Sequence, residues 1–595
     1  MRDAETALAI IRDRGNRGLP LEGIYRMLYN PDLYLRAYAK LYPNKGAMTK
    51  GATEETVDGM SLAKIEQLID DLRYERHRWT PVRRVYIPKA NGKKRPLGIP
   101  TWKDKLLQEV VRMLLEAYYE PQFSDHSHGF RPGRGCHTAL REVQAKWTGT
   151  RWFIEGDIAA YFDTINHNVL LEILSEHIHD NRFLRLIRNL LESGYLENWR
   201  YNATYSGTPQ GGVVSPILAN IYLNKLDQYV EKVLMPAYTR GKKRAENPEY
   251  QTLRDKIAYR KKTGQKAEYR QLRKQLQELP SKAPADPDYR RLRYVRYADD
   301  FLLGYSGPRQ EAEEIRQNIG EFLRNTLKLE LSQEKTLITQ ASKQAARFLG
   351  YDIVNQQNDS KHAQKRRSAN GRIGLRVPVD VVDKQCVRYS QEGKPAHRPE
   401  RLQDSDYSIV AQYHQEYRGM VQYYLLAQNV SYLYRLHWVM RLSLLKTLAN
   451  KHKMSTTAIA EKYQATTQAP DGTTLKCLEV KVEREGKKTL IAHFGGIQLK
   501  TQPRAILVDQ LPKPINTGTE LLQRLLANEC ELCGTTADIE VHHIRKLADL
   551  KRHGRQERPA WEKLMAARQR KTLVVCRICH DDIHAGRPVR QKVLK

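Results

Sequence analysis

Apolar residues recur at helical spacing through the first 80 residues, as in SLAKIEQLIDDLR, and predict short helices separated by polar turns. The pattern changes over 82–100 (VRRVYIPKANGKKRPLGIP), where two β-rich runs around Asn91-Gly92 predict a hairpin. A helix follows, with Thr101 as its cap and Leu106, Leu107, Val110, Val111, Leu114 and Leu115 as its buried stripe. Residues 151–158 (RWFIEGDI) predict a strand ending on Asp157, with a helix around Leu170–Ile178. Residues 294–305 (YVRYADDFLLGY) predict a second hairpin, two apolar strands flanking Ala298-Asp299-Asp300. The polar, basic stretch 355–372 reads as a loop or linker. Two long helices are expected near 407–427 and 431–450, the second striped by Leu433, Leu436, Met440, Leu444 and Leu448. Short strand-like runs with Gly and Pro over 465–515 predict a connector, and a last domain starts near residue 520. The sequence has no internal repeat and no low-complexity tract.

Composition narrows the picture. With 595 residues, 40% hydrophobic and 28% charged, the chain can build several cores, which excludes wholesale disorder. Lys plus Arg number 100 against 68 for Asp plus Glu, a formal charge of +32. A compact chain so charged repels itself unless a polyanion compensates, and nucleic acid is the first candidate. Residues 240–275 concentrate the excess, with 13 Lys/Arg against four Asp/Glu. They predict a charged helical insertion (236–292) that is either a solvated face or an RNA-contacting arm. No apolar run reaches 18 residues and the N-terminus lacks a signal-peptide core, so the expectation is a soluble, intracellular protein, cytoplasmic or organellar, with no membrane partner. Seven cysteines are too few for a disulfide scaffold; four of them form two CxxC pairs in the last 70 residues, a distribution that points to metal.

Carboxylates at strand ends, here Asp157 and the pair Asp299 and Asp300, can converge from distant positions and hold two Mg²⁺ ions about 3.5–4 Å apart for phosphoryl transfer. An Asp-Asp pair alone would be ordinary turn chemistry. The neighbouring motifs decide between the two. Tyr297-Ala298-Asp299-Asp300 between apolar strands, with Asp157 earlier and Phe162 five residues on, resembles the palm of reverse transcriptases. Gly207-Thr208-Pro209-Gln210-Gly211, Ser332-Gln333-Glu334-Lys335-Thr336 and Phe348-Leu349-Gly350-Tyr351 match further blocks of that family in order, over roughly residues 80–355. The resemblance implies that Asp157, Asp299 and Asp300 bind the catalytic Mg²⁺ ions. It also implies that Lys89 and Arg95 neutralise the incoming deoxynucleoside triphosphate, Phe162 excludes a 2′-hydroxyl, and Gln210 positions the nucleotide.

Ile99-Pro100-Thr101 before a helix, then His128-Gly129-Phe130-Arg131-Pro132-Gly133-Arg134, resembles the group II intron-encoded subfamily, and the two later helices resemble its thumb, or maturase (X) domain. Tyr413, Tyr417, Tyr423 and Tyr424 lie there among Arg418, Arg435 and Arg441, a composition that fits an RNA-binding face or a bundle core. Cys530-x-x-Cys533 and Cys576-x-x-Cys579, separated by 42 residues, can close a tetrahedral structural Zn²⁺ site. His580 and His584, at i and i+4, would aim at one point from a helix. With Glu540-Val541-His542-His543-Ile544, the tail resembles an HNH nuclease, a ββα fold. That resemblance implies His543 as general base, and His542 with one or both of His580 and His584 as ligands of a divalent ion. The place of the family's central Asn is held by Lys571 or Thr572.

The sequence therefore predicts a multidomain α+β protein. Residues 1–80 form an N-terminal helical extension and fingers, 81–355 right-hand reverse transcriptase fingers and palm, 373–465 an α-helical thumb, 466–519 a connector or DNA-binding region, and 520–595 a zinc-containing HNH domain. The implied function is that of a group II intron-encoded protein: it assists splicing of its intron RNA, nicks target DNA, and copies the RNA from the cleaved end. Intron RNA, target DNA and deoxynucleotides are the expected partners, with a homodimer left open. A reverse transcriptase recruited to host defence is disfavoured by the maturase-like helices and the HNH tail. A splicing factor with dead catalytic domains is disfavoured by the intact aspartates.

Overall fold

A computed structural model describes residues 3–589 apart from 45, 89–91, 93, 205, 208–210, 284–285, 358–361, 364–365, 368–369, 470, 485–486, 508–519 and 551–558. Lys89 and Gln210 thus lie outside the described residues.

The N-terminal region is helical, with Ala4–Asn16, Pro31–Leu41 and Leu62–Arg73 capped by Asp3, Asn30 and Ser61. Strands Val82–Pro88 and Lys94–Ile99 form the expected antiparallel hairpin, extended by Tyr195–Glu197 and Arg200–Asn202. Thr101 caps the helix Trp102–Tyr119, whose predicted leucine and valine stripe is buried. The central antiparallel sheet has the order Arg291–Tyr297, Asp300–Ser306, Trp152–Asp157, Ile338–Gln340. Its strands are buried on both faces. Ile154, Leu292, Tyr294, Phe301, Leu303 and Tyr305 enter one core, while Phe153, Val295 and Leu302 enter the other. That two-residue alternation follows from the pleat.

Within 240–290, helices Pro248–Lys262 and Lys266–Glu278 form a hairpin with no buried residue in either, as expected of a charged insertion. Between 355 and 372, where a loop was expected, His362–Ala363 pairs with Arg366–Arg367. The predicted long helices are Asp406–Tyr423 and Tyr434–His452. Tyr413, Tyr417 and Tyr424 are buried between these helices and their neighbours, so they are core residues and not an RNA-stacking face. The strand-like runs after 464 form an antiparallel sheet, Gln464–Gln468, Thr474–Arg484 and Lys487–Gly495, whose Leu478, Val480, Ala492 and Phe494 share that core. The C-terminal region has strands Ile539–His543 and Thr572–Cys576 followed by helix Arg577–Ala585, the expected ββα unit. Its Leu521, Leu522, Val541 and Val574 belong to the same core as the N-terminal helices. No helix among the described residues is long and apolar enough to cross a membrane.

Candidate active sites

Asp157 ends its strand and stands opposite Asp300, which opens the next; Asp299 lies in the intervening turn with Ala298. Ala298 takes a left-handed conformation (φ 53°). The turn is held from beneath by Arg296, whose fully buried guanidinium clasps Asp227 (Nε to Oδ1 2.8 Å, Nη2 to Oδ2 2.6 Å). The same group donates to Ala298 O (2.9 Å) and Ser127 Oγ (2.8 Å). The 126–131 segment passes so close that a Cβ on Gly129 would lie 2.5 Å from Ala298 N, which explains the glycine of His128-Gly129-Phe130.

Burial, reinforced by Asp299 and Asp157, pushes Asp300 up to about 7; burial and Asp157 also raise Asp299. Lys335 Nζ pairs with Asp157 Oδ2 at 2.7 Å. Three carboxylates against this one ammonium form a site that gains from further positive charge, as a cation site should. Lys335 lies in a motif visible in the sequence, but its place against Asp157, 178 positions away, carries no local signal. Phe162 is half-buried five residues beyond Asp157, its ring 5.3 Å from Tyr161. Gly207 packs behind it: a Cβ there would lie 2.6 Å from Phe162 O. Gly211 (φ +102°) lies against Leu97 on the strand that carries the exposed Arg95, and Arg95 lowers the Asp299 carboxyl against the effect of burial. The structure thus brings Asp157, Asp299 and Asp300 together with Arg95 near enough to act on Asp299, and sets Phe162 on the short helix that follows Asp157.

In the C-terminal domain the sulfurs of Cys530, Cys533, Cys576 and Cys579 all lie within 4.8 Å of one another. Cys533 and Cys576 Sγ are 3.7 Å apart, close to the roughly 3.8 Å edge of a tetrahedron with Zn–S bonds of about 2.3 Å. The backbone N–H groups of Cys533 and Cys579 donate to Cys530 and Cys576 Sγ at 3.4 and 3.5 Å, as thiolate ligands require. This four-cysteine cluster fits a zinc site.

A second cluster joins His542, His580 and His584 to Asp58, a residue of the N-terminal region. His580 and His584 Nε2 are 3.2 Å apart, near the roughly 3.3 Å spacing of two imidazoles on one tetrahedral ion. Glu540 Oε2 lies 2.9 Å from His580 Nδ1 and so orients its other nitrogen, a common support for a metal-bound histidine. His543 is next to His542 on a strand and therefore faces the other way. Its Nε2 meets Tyr38 OH at 2.8 Å, and burial drops its imidazole to about 3, so it stays neutral. Thr572 stands opposite His543 in the ladder, but its hydroxyl accepts from Arg524 (3.3 Å). The three predicted ligands converge and His543 stands apart from them. Asp58 and Tyr38 have no sequence signal, because only the docking of two distant regions brings them here.

Comparison with known proteins agrees with this geometry. Residues 87–244 match the reverse transcriptase (RNA-dependent DNA polymerase) family, 377–498 the type II intron maturase family, and 530–580 the AI2M/AI1M-like HNH endonuclease family. The group II intron-encoded protein LtrA of Lactococcus lactis subsp. cremoris is 40% identical, over 94% of each chain. An uncharacterised 91 kDa protein in a cob intron of Schizosaccharomyces pombe is 35% identical over 94% of this chain and 69% of its own. A nuclear intron maturase 1 of Arabidopsis thaliana mitochondria is 25% identical over 49% of this chain and 46% of its own. With the palm aspartates, a maturase region and an HNH module in one polypeptide, and a relative this similar end to end, the chain belongs to the group II intron-encoded proteins and combines reverse transcriptase, maturase and HNH endonuclease domains.

Proposed function

We propose that the cleft around Asp157, Asp299 and Asp300 copies intron RNA into DNA from the 3′ end of a target strand that the HNH domain has nicked. The observation that carries this reading is the register setting Asp157 against Asp300 beside the Ala298 turn. Two Mg²⁺ ions held by these carboxylates would activate the primer 3′-hydroxyl and stabilise the leaving pyrophosphate. Lys335 keeps Asp157 charge-balanced until then and must give way as ions load. Arg95 and Lys89 neutralise the triphosphate, and Gln210 positions the nucleotide sugar. The Phe162 ring closes the space a 2′-hydroxyl would need.

Zn²⁺ on the four cysteines serves structure. At the other cluster His542, His580 and His584 hold a divalent ion that would polarise the scissile phosphate. His543 is the candidate to take a proton from an attacking water, a task for which burial, by holding its imidazole far below the ordinary value, leaves it a poor base until it is uncovered. The thumb and the basic helical hairpin bind the intron RNA for splicing. Replacing Asp299 and Asp300 by Ala should abolish primer extension on an RNA template while intron RNA is bound as before. Ordinary extension by the double variant would refute the assignment of the cleft.

A further inference from the structure

Asp58 lies in the turn ahead of helix Leu62–Arg73, 485 positions from His543. Its Oδ1 is 3.2 Å from His580 Nε2 and 3.5 Å from His542 Nδ1, and its Oδ2 is 2.8 Å from His584 Nε2. His542 is 4% exposed; its Nε2 has no hydrogen-bond partner among the described residues, and its Nδ1 has only the long approach of Asp58. Leaving a buried imidazole so is costly, and a cation among the four side chains would satisfy it.

The segment that brings Asp58 also covers His543. Asp58 Oδ1 accepts from His543 N (2.7 Å). Gly59 N–H donates to Val541 O (3.0 Å) and Val541 N–H to Met60 O (2.9 Å), so residues 59–60 make a single antiparallel bridge on the edge of the nuclease hairpin. Gly59 has φ +71°, and a Cβ there would lie 3.4 Å from His580 Cε1. Tyr38 and Tyr42 pack on the His543 ring, with Tyr38 OH on its Nε2, and His543 is 5% exposed.

A hydrolytic metal site keeps a position open for substrate or water. Three imidazoles and a carboxylate fill a four-coordinate sphere, and on a six-coordinate ion such as Mg²⁺ or Mn²⁺ they take four of the six positions, Asp58 being the one anionic ligand among them. A carboxylate oxygen offers a cation the same kind of anionic ligand as a phosphodiester oxygen. A ligand that merely completed a working centre would leave the base accessible, yet here the base is covered by the same region.

Building on the nuclease reading above, we propose that Asp58 ligates the nuclease ion in the place of the scissile phosphate. The N-terminal region thereby holds the nuclease closed until target DNA displaces it. Asp58→Asn, which keeps the side chain's shape but not its charge, tests this in the full-length chain. An Asp299→Ala/Asp300→Ala background keeps Mn²⁺ from the palm. Mn²⁺ binding followed by electron paramagnetic resonance should weaken by about tenfold or more. At saturating Mn²⁺, affinity for a target duplex with a non-hydrolysable linkage at the nick position should rise several-fold, as should nicking of the ordinary duplex. Unchanged Mn²⁺ affinity would show that Asp58 is not a ligand. Duplex affinity that fails to rise, or nicking lost at saturating Mn²⁺, would show a permanent ligand and overturn the closed state. Tyr38→Phe provides an independent arm: it frees His543 Nε2, and it should raise nicking with Mn²⁺ affinity unchanged. No gain in nicking would count against the cover. If the parent chain nicks no duplex at all, the nuclease reading fails, and Mn²⁺ and duplex binding still decide the role of Asp58.

Discussion

Phe162 is half-buried five residues beyond Asp157, its ring edge-on to Tyr161 and its backbone held by the close approach of Gly207. Phe162→Val should therefore reduce discrimination against ribonucleotides by on the order of ten- to a hundredfold, since a pocket without a steric block rejects an added hydroxyl only weakly. Paired single-nucleotide incorporation on an RNA template measures it, and unchanged selectivity would place the gate elsewhere. Asp300 gives a pH signature. Its carboxyl is held up at about 7, first by burial and then by Asp299 and Asp157. With the folded value above the unfolded one, the ion-free cleft loses stability as pH rises from the ordinary carboxylate range through 7. Ion loading must expel the proton, so Mn²⁺ affinity of the cleft should fall by roughly tenfold per pH unit below about 7. A flat profile from pH 5.5 to 7 would contradict a raised Asp300 carboxyl. The aspartates were legible in the sequence because strand pattern and motif coincide on them. Lys335 and Asp58 were not, because what gives each its role is a partner far away in sequence, 178 positions for Lys335 and, for Asp58, 485 to His543 and 526 to His584.

Among the elements, periodicity foresaw what local patterning controls: the hairpin before Thr101, the capped helix after it and the two long thumb helices, whereas the ββα unit was expected from the nuclease resemblance. It could not decide which face of a thumb helix is inside. Tyrosine suits both a core and an RNA surface, and only packing against the sheet Gln464–Gly495 shows Tyr413 and Tyr417 to be interior, each in ring contact with Phe494. The cysteine pairs are the clearest case of sequence spacing fixing an element. Their sulfurs bring together the 530–533 turn and the start of helix Arg577–Ala585. Cys530→Ser should release the bound Zn²⁺ and unfold the C-terminal domain. Limited proteolysis should then remove residues beyond about 520 while the polymerase region survives. Retention of one equivalent of zinc, measured with the released peptide, would contradict the four-thiolate site.

Across the whole molecule, the two candidate centres stand apart but rest on one shared core. The palm cleft is built between two cores, and the nuclease shares the first of these with the N-terminal helices. The order of the regions could be read from motifs, but the docking of first and last regions could not, since no local pattern encodes a contact between Asp58 and His584. The net charge of +32 suits long nucleic-acid partners that must reach both centres. In the mechanism proposed above, nicking and copying are separate steps, run by separate residues of one chain. The most direct measurement is target-primed DNA synthesis by the His543→Ala protein bound to its intron RNA, on intact and on pre-nicked target duplex. The account predicts no extended product from intact DNA and a normal yield from pre-nicked DNA. Normal yield from intact DNA, or failure on both substrates, would contradict it.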